Sequence, residues 1–206
     1  MPDEANDHGQ RECSHFRSSR IVLRTSNPRD ATIELLSRRL GLREIRQLDE
    51  PTSSRITHEM VWQVKEGLEL HYLEDAASKA SCIVAAGDDG DEVAQWANMA
   101  ATYIGAWTEK ELTAALKESS DPVTRTQLLL LVGLGSPDTF DDEYFSLILR
   151  DFDHEDPMVR TGAVWATSYS SWREFVPDLR KLAASDPQDD VRATAHAVAD
   201  IIERKS

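Results

Sequence analysis

Cysteine is nearly missing from this chain: 206 residues carry only Cys13 and Cys82. No disulfide framework is needed, because a chain of this length buries a core without covalent staples, and both are read as thiols. Long hydrophobic runs are missing too. No apolar stretch reaches the ~20 residues of a membrane-spanning helix, and the acidic Met1–Asp7 start has neither the cationic nor the apolar region of a signal peptide. The chain is therefore expected to be cytoplasmic, with no membrane partner. Eight prolines and nine glycines are too few for a low-complexity polymer, and 40% hydrophobic residues are too many for a disordered one. Cations are outnumbered, with 23 Lys and Arg against 37 Asp and Glu for a net charge of −14. Nucleic-acid binding needs clustered cations that displace counterions from phosphates, so no nucleic-acid partner is expected. The chain also lacks a phosphate-cradling glycine loop, a dinucleotide fingerprint, HExxH and GxSxG. No catalytic residue, cofactor or metal is assigned from the sequence.

What is present falls into three stretches. Residues 1–19 combine charges of both signs with almost no apolar periodicity and read as a disordered tail. Ile21-Val22-Leu23 is a short strand run. Ser26-Asn27-Pro28 then offers a cap and a first-turn proline for a helix carrying Ile33, Leu36 and Leu40, stopped by Gly41. Residues 43–48 form a second strand, and residues 50–54 a turn. The next segment has period two: His58, Met60, Trp62 and Val64 share one face, and Thr57, Glu59, Val61 and Gln63 the other, as in a half-buried strand. Lys65-Glu66-Gly67 reverses the chain into Leu68, Leu70 and Tyr72, alternating with Glu69 and His71, and Cys82–Ala86 adds a last strand. Residues 20–87 thus read as a small α+β domain, a mainly antiparallel sheet with one helix.

Beyond Gly87 only helices are expected. Thr108-Glu109-Lys110-Glu111 is a capping box, and Ser171-Trp172-Arg173-Glu174 repeats its spacing. Asp121-Pro122, Asp156-Pro157 and Asp186-Pro187 each pair an N-cap with a proline suited to the first helical position. These pairs lie 35 and then 30 residues apart, the period range of stacked helical units. The run from Asp156 to Ala163 aligns without a gap on Asp121 to Leu128, sharing Asp, Pro, Arg and Thr; the copy from Asp186 recovers Val191 and Arg192 after a two-residue insertion.

Here the chain resembles the HEAT-repeat family, whose units carry Asp-Pro-x-Val-Arg-x-x-Ala at the start of a helix. The resemblance covers about residues 121–206 and fits best over 156–184, with Leu128 standing where the family has a small residue. It implies that residues 88–206 form a HEAT-like repeat solenoid, each unit burying its apolar face on the next. Arg125, Arg160 and Arg192 would then form a ladder. The resemblance implies that they pair with aspartates of the adjacent repeat; contact with a partner is the alternative. Trp165, Tyr169 and Trp172 are core residues or an exposed hot spot. Arg38, Arg39, Arg43 and Arg46 form the basic cluster, either a solvated helix end or an anion contact. His8, Cys13 and His15 sit in the polar tail without a second cluster at metal-finger spacing. His58 and His71 fall on opposite strand faces, and Asp88–Glu92 reads as a turn and helix start rather than a calcium loop.

Residues 108–206 hold 11 basic and 19 acidic side chains. A curved acidic repeat surface suits a basic protein partner through electrostatic steering. The expected function is a non-catalytic protein-protein interaction module, one form of which is an inhibitor or immunity-type protein. The alternatives are a HEAT-like enzyme or enzyme-maturation factor holding a small molecule on its concave face, and a ligand-regulated adaptor. A deep pocket with an unpaired carboxylate and an aromatic would favour the enzyme or enzyme-maturation alternative.

Overall fold

A computed structural model describes residues 15–24, 29–42, 45–47 and 55–205. Its strands are β1 (Phe16–Arg17), β2 (Ile21–Val22), β3 (Ile45–Gln47), β4 (Ile56–Lys65), β5 (Leu68–Asp75) and β6 (Ser81–Gly87). They form one antiparallel sheet in the order β1-β6-β5-β4-β3, with β2 also pairing along β6. Residues 15–19, assigned above to the tail, are therefore partly in the sheet: Phe16 pairs with Gly87, and the Ser18 amide donates to the Ala85 carbonyl at 2.9 Å. Two residues of β-pairing suffice there because β6 offers an open edge. Gly67 supplies the positive φ (+74°) of the β4–β5 reversal.

Helices α1 (Arg29–Leu40) and α2 (Gly90–Ile104) cover one face of the sheet. Leu36, Val93, Ala97 and Ala100 pack there on Trp62, Leu70, Tyr72 and Ile83, and the Trp62 indole N–H donates to Ser37 Oγ at 3.2 Å. Gly41, at φ +67°, ends α1 as its sequence position requires; the cap at Ser26-Asn27-Pro28 and the turn at 50–54 lie outside the described residues. Asp89 caps α2 by accepting from the Asp91 and Glu92 amides. The opposite face, with Leu73, Cys82 and Val84, joins a second core built with the later helices. Sheet residues on both faces are therefore buried, including Trp62 on one side and Glu59 and Val61 on the other. Alternation within β4 alone shows two faces but not what comes to cover the second.

No strand follows β6 among the described residues, where Leu23 and Ala106 form only an isolated bridge. The remaining helices are α3 (Glu109–Glu118), α4 (Pro122–Leu134), α5 (Asp142–Leu149), α6 (Pro157–Ser170), α7 (Val176–Ser185) and α8 (Asp189–Lys205), so the chain is α+β. Thr108 closes its capping box, and Asp121 and Asp156 cap α4 and α6 with proline at the first helical position. Two expected starts differ. Ser171 is the left-handed C-cap of α6 (φ +55°), and α7 begins at Val176 after a 3₁₀ turn. Asp186 ends α7, and α8 starts three residues later, although the Asp186 carboxylate accepts from the Gln188 amide at 2.8 Å as well as from Arg160.

Helix α4 packs on α6, and α6 on α8. The first contact is close at two glycines. A Cβ on Gly133 would lie 2.6 Å from the Ala166 carbonyl oxygen, and one on Gly162 would lie 2.8 Å from Thr126 Cγ2.

Candidate functional site

Arg160 donates from Nε to Asp186 Oδ2 at 2.7 Å and from Nη2 to Asp186 Oδ1 at 2.9 Å, while Nη1 reaches the His154 and Glu155 carbonyls. Arg125 repeats the arrangement on Asp151, but Nε and Nη2 both reach Oδ1, and Asp151 Oδ2 is buried without a partner. In all three copies Nη1 donates to the carbonyl six residues back: Arg125 to Ser119, Arg160 to His154, and Arg192 to Asp186. Arg125 and Arg160 are buried and draw neighbouring helix starts together; Arg192, half-buried, pairs with Asp189 on its own helix. Burial works to raise the Asp186 carboxyl, but the Arg160 hydrogen bonds and the Gln188 amide hold it below the ordinary carboxylate value.

These ion pairs place the N-terminal ends of α4, α6 and α8 along one edge. Glu118, Asp121, Asp153, Glu155, Asp189 and Asp190 are exposed there. Val123 and Met158, equivalent positions one residue beyond each proline, are 66% and 41% exposed. Trp165 lies two turns along α6 from Met158 and is 40% exposed. The edge thus combines exposed acids, of which Asp189 is paired with Arg192 and Asp121 caps α4, with isolated large apolar side chains.

The other aromatic candidates are elsewhere. Trp172 is buried against Phe140 and stacked on Phe175 at 5.9 Å. Tyr169 is buried at the junction with the sheet, where its hydroxyl donates to Asp75 Oδ2 at 2.5 Å. Desolvation, then the Asp75 hydrogen bond, pushes the Tyr169 phenol well above its ordinary value. Arg55 stacks over the Tyr169 ring at 4.2 Å and donates to the Ser168 carbonyl at 3.0 Å. The Gln127 amide closes the junction on the Ser78 carbonyl at 2.7 Å. Sequence reasoning missed Asp75 and Arg55, whose partners lie 94 and 113 residues away; the one local signal was a strand ending Leu73-x-Asp75 on a single face.

Arg38 and Arg39 are exposed at the end of α1, with Arg38 paired to Glu34 four residues back. Arg43 and the side chain of Arg46 lie outside the described residues, as do His8 and Cys13. His15 stands 3.6 Å from Asp88. His71 contacts Glu59 at 3.0 Å on the face opposite His58. Among the described residues no helix is long and apolar enough to cross a membrane. No protein-family model, curated protein or solved structure matches the chain.

Proposed function

We propose that residues 88–206 form a HEAT-like repeat stack that acts as a non-catalytic protein-interaction module for a basic protein, binding it along the α4–α6–α8 edge. One observation carries this reading: Val123 and Met158 stand exposed at equivalent places beside six exposed acids, in a chain of net charge −14. The acids steer a cationic partner and fix its orientation; the apolar side chains and Trp165 supply the desolvated contacts that hold it. An inhibitor or immunity-type protein that covers the basic surface of a toxin or nuclease is one form of such a module. The repeated Nη1 contact to the sixth preceding carbonyl supports the stacked-unit reading.

The test is copurification from native lysate, followed by titration of the purified partner. A stoichiometric basic protein whose affinity falls as salt rises, and falls again with a Met158→Ala/Trp165→Ala variant, supports the proposal. A partner insensitive to salt and to both substitutions overturns it.

A further inference from the structure

Strands β1 and β2 both lie along β6 and put two arginines on one face of the sheet. Arg17 stands opposite Ala86, and Val22 opposite Cys82. Strand alternation therefore carries Arg17, and Arg20 two residues before Val22, to the side of Cys82, Val84 and Ala86. There they line a cavity of about 330 Å³ between the sheet and helices α4 and α6. Leu73, Val84 and Leu134 give it an apolar wall. Cys82 beside them stays a neutral thiol, pushed up to about 12 by burial, with Arg20 and Arg17 acting against that rise and Asp75 adding to it.

Three arginines and two acids line this cavity. Arg55 is committed to the junction: it donates to the Ser168 carbonyl at 3.0 Å and the Ser168 hydroxyl at 3.1 Å, and stacks over the Tyr169 ring. Asp75 meets the same Tyr169 through its hydroxyl, and its Oδ2 accepts also from the Ala77 and Ser78 amides and the Ser78 hydroxyl. Those two opposite charges thus meet at one residue, and four donors disperse the carboxylate's. Asp138, the second acid, is exposed, so water screens it. Arg17 and Arg20 are different. Arg24, Lys65, Lys117 and Arg180 each pair with an acid, whereas among the described residues Arg17 and Arg20 form no ion pair. Three arginines against two acids leave the cavity positive by one in a chain of net charge −14. That local balance suits a monoanion, and the apolar wall suits a ligand with a hydrocarbon part.

We propose that this cavity binds a short-chain aliphatic carboxylate, its head on Arg17 and Arg20 and its chain against Leu73, Val84 and Leu134. Guanidinium groups match a carboxylate in geometry as well as charge. The volume lies at the small end of the ~300–1,000 Å³ range of ligand pockets, which suits a short chain. The site is separate from the acidic edge and does not depend on the partner reading.

Isothermal titration of the full chain tests it with hexanoate, with acetate as the head alone, hexanol as the chain alone and hexylamine as the opposite charge. Hexanoate should bind saturably at one site, with the other three weaker by about tenfold or more. Arg17→Gln/Arg20→Gln should weaken hexanoate by about tenfold or more; it removes no core side chain. Lys65→Gln/Lys117→Gln changes the net charge equally at exposed ion pairs outside the cavity and should leave hexanoate binding unchanged. Absence of saturable hexanoate binding, or equal binding of acetate, hexanol or hexylamine, would overturn the assignment. So would an unaffected arginine variant, or an equal loss in the lysine variant.

Discussion

Arg160 and Asp186, 26 residues apart, are joined through two separate oxygens in a fully formed fork, whereas Arg125 and Asp151, separated by the same interval, share a single oxygen. Removing one member of a buried pair strands the other, which costs about 3–5 kcal/mol. Arg160→Ala is expected at that level, and Arg125→Ala below it, because Asp151 already carries one unsatisfied oxygen. Urea unfolding of the two variants measures the difference, and equal losses would refute the inequality between the pairs.

The same carboxylate makes stability pH-dependent. Asp186 has a lowered pKa in the folded chain, so the native state stays charged where the unfolded chain takes up a proton. Its contribution is present above the ordinary value of 3.8 and is lost as pH falls from there through the lower folded value. Asp186→Asn should therefore flatten the acid limb of the urea midpoint against pH, while lowering the midpoint at neutral pH.

Strands β3 to β6, the Gly41 stop and the caps at Thr108, Asp121 and Asp156 were legible in the sequence because period-two alternation and capping chemistry act over a few residues. Three features were not. The αL end at Ser171 mimics a capping box in spacing alone; Asp186 holds both Arg160 and the Gln188 amide while α8 begins only at Asp189; and Asp75 meets Tyr169 only after the helices fold back on the sheet. At Ser171 the competitor is local, the C-cap bonds to Thr167 and Ser168; at Asp186 and Asp75 it is a residue distant in sequence. Trp165 and Trp172 illustrate the same limit, since both are tryptophans on helix-forming sequence and only packing makes one exposed and the other buried.

Two glycines separate crowding from backbone strain. Gly133→Ala places a methyl group 2.6 Å from the Ala166 carbonyl oxygen, and the rigid α6 backbone cannot yield cheaply, so a loss of about 1–3 kcal/mol is expected. Gly105→Ala meets nothing within 4 Å, but its φ is +63°; it should lose about 1–2 kcal/mol from the left-handed conformation alone. Because every atom crowded by Gly133→Ala is backbone, Ala166→Gly should not rescue it, as thermal unfolding of the double variant will report; a rescue would mean that the crowding is by a side chain.

Cys82 reports on the sheet–helix junction. It is 0% exposed and its thiol is pushed up to about 12 by burial, so in a Cys13→Ser background a thiol reagent should react with it only when the junction opens. Tyr169→Phe deletes the hydroxyl held by Asp75 and is expected to cost about 1–2 kcal/mol. If opening is local and fast to reclose, labelling then accelerates by about tenfold. An unchanged rate would mean that the thiol becomes reachable by a route independent of that hydrogen bond.

Trp172 and Trp165 should respond oppositely to substitution. Trp172 is buried and stacked on Phe175, yet its indole N–H is buried without a partner. Trp172→Ala opens a large void and is expected to cost about 3–5 kcal/mol. Trp172→Phe keeps the stack and removes the unsatisfied donor, which offsets part of the lost packing and should hold the cost below about 1.5 kcal/mol. Trp165→Ala removes a side chain already 40% exposed and should shift stability by no more than about 1 kcal/mol, while weakening a basic partner by about tenfold or more if it is an anchor. Urea unfolding and partner titration on the same preparations decide between the roles: a Trp165→Ala chain that loses stability as Trp172→Ala does would make Trp165 a packing residue and remove it from the binding edge.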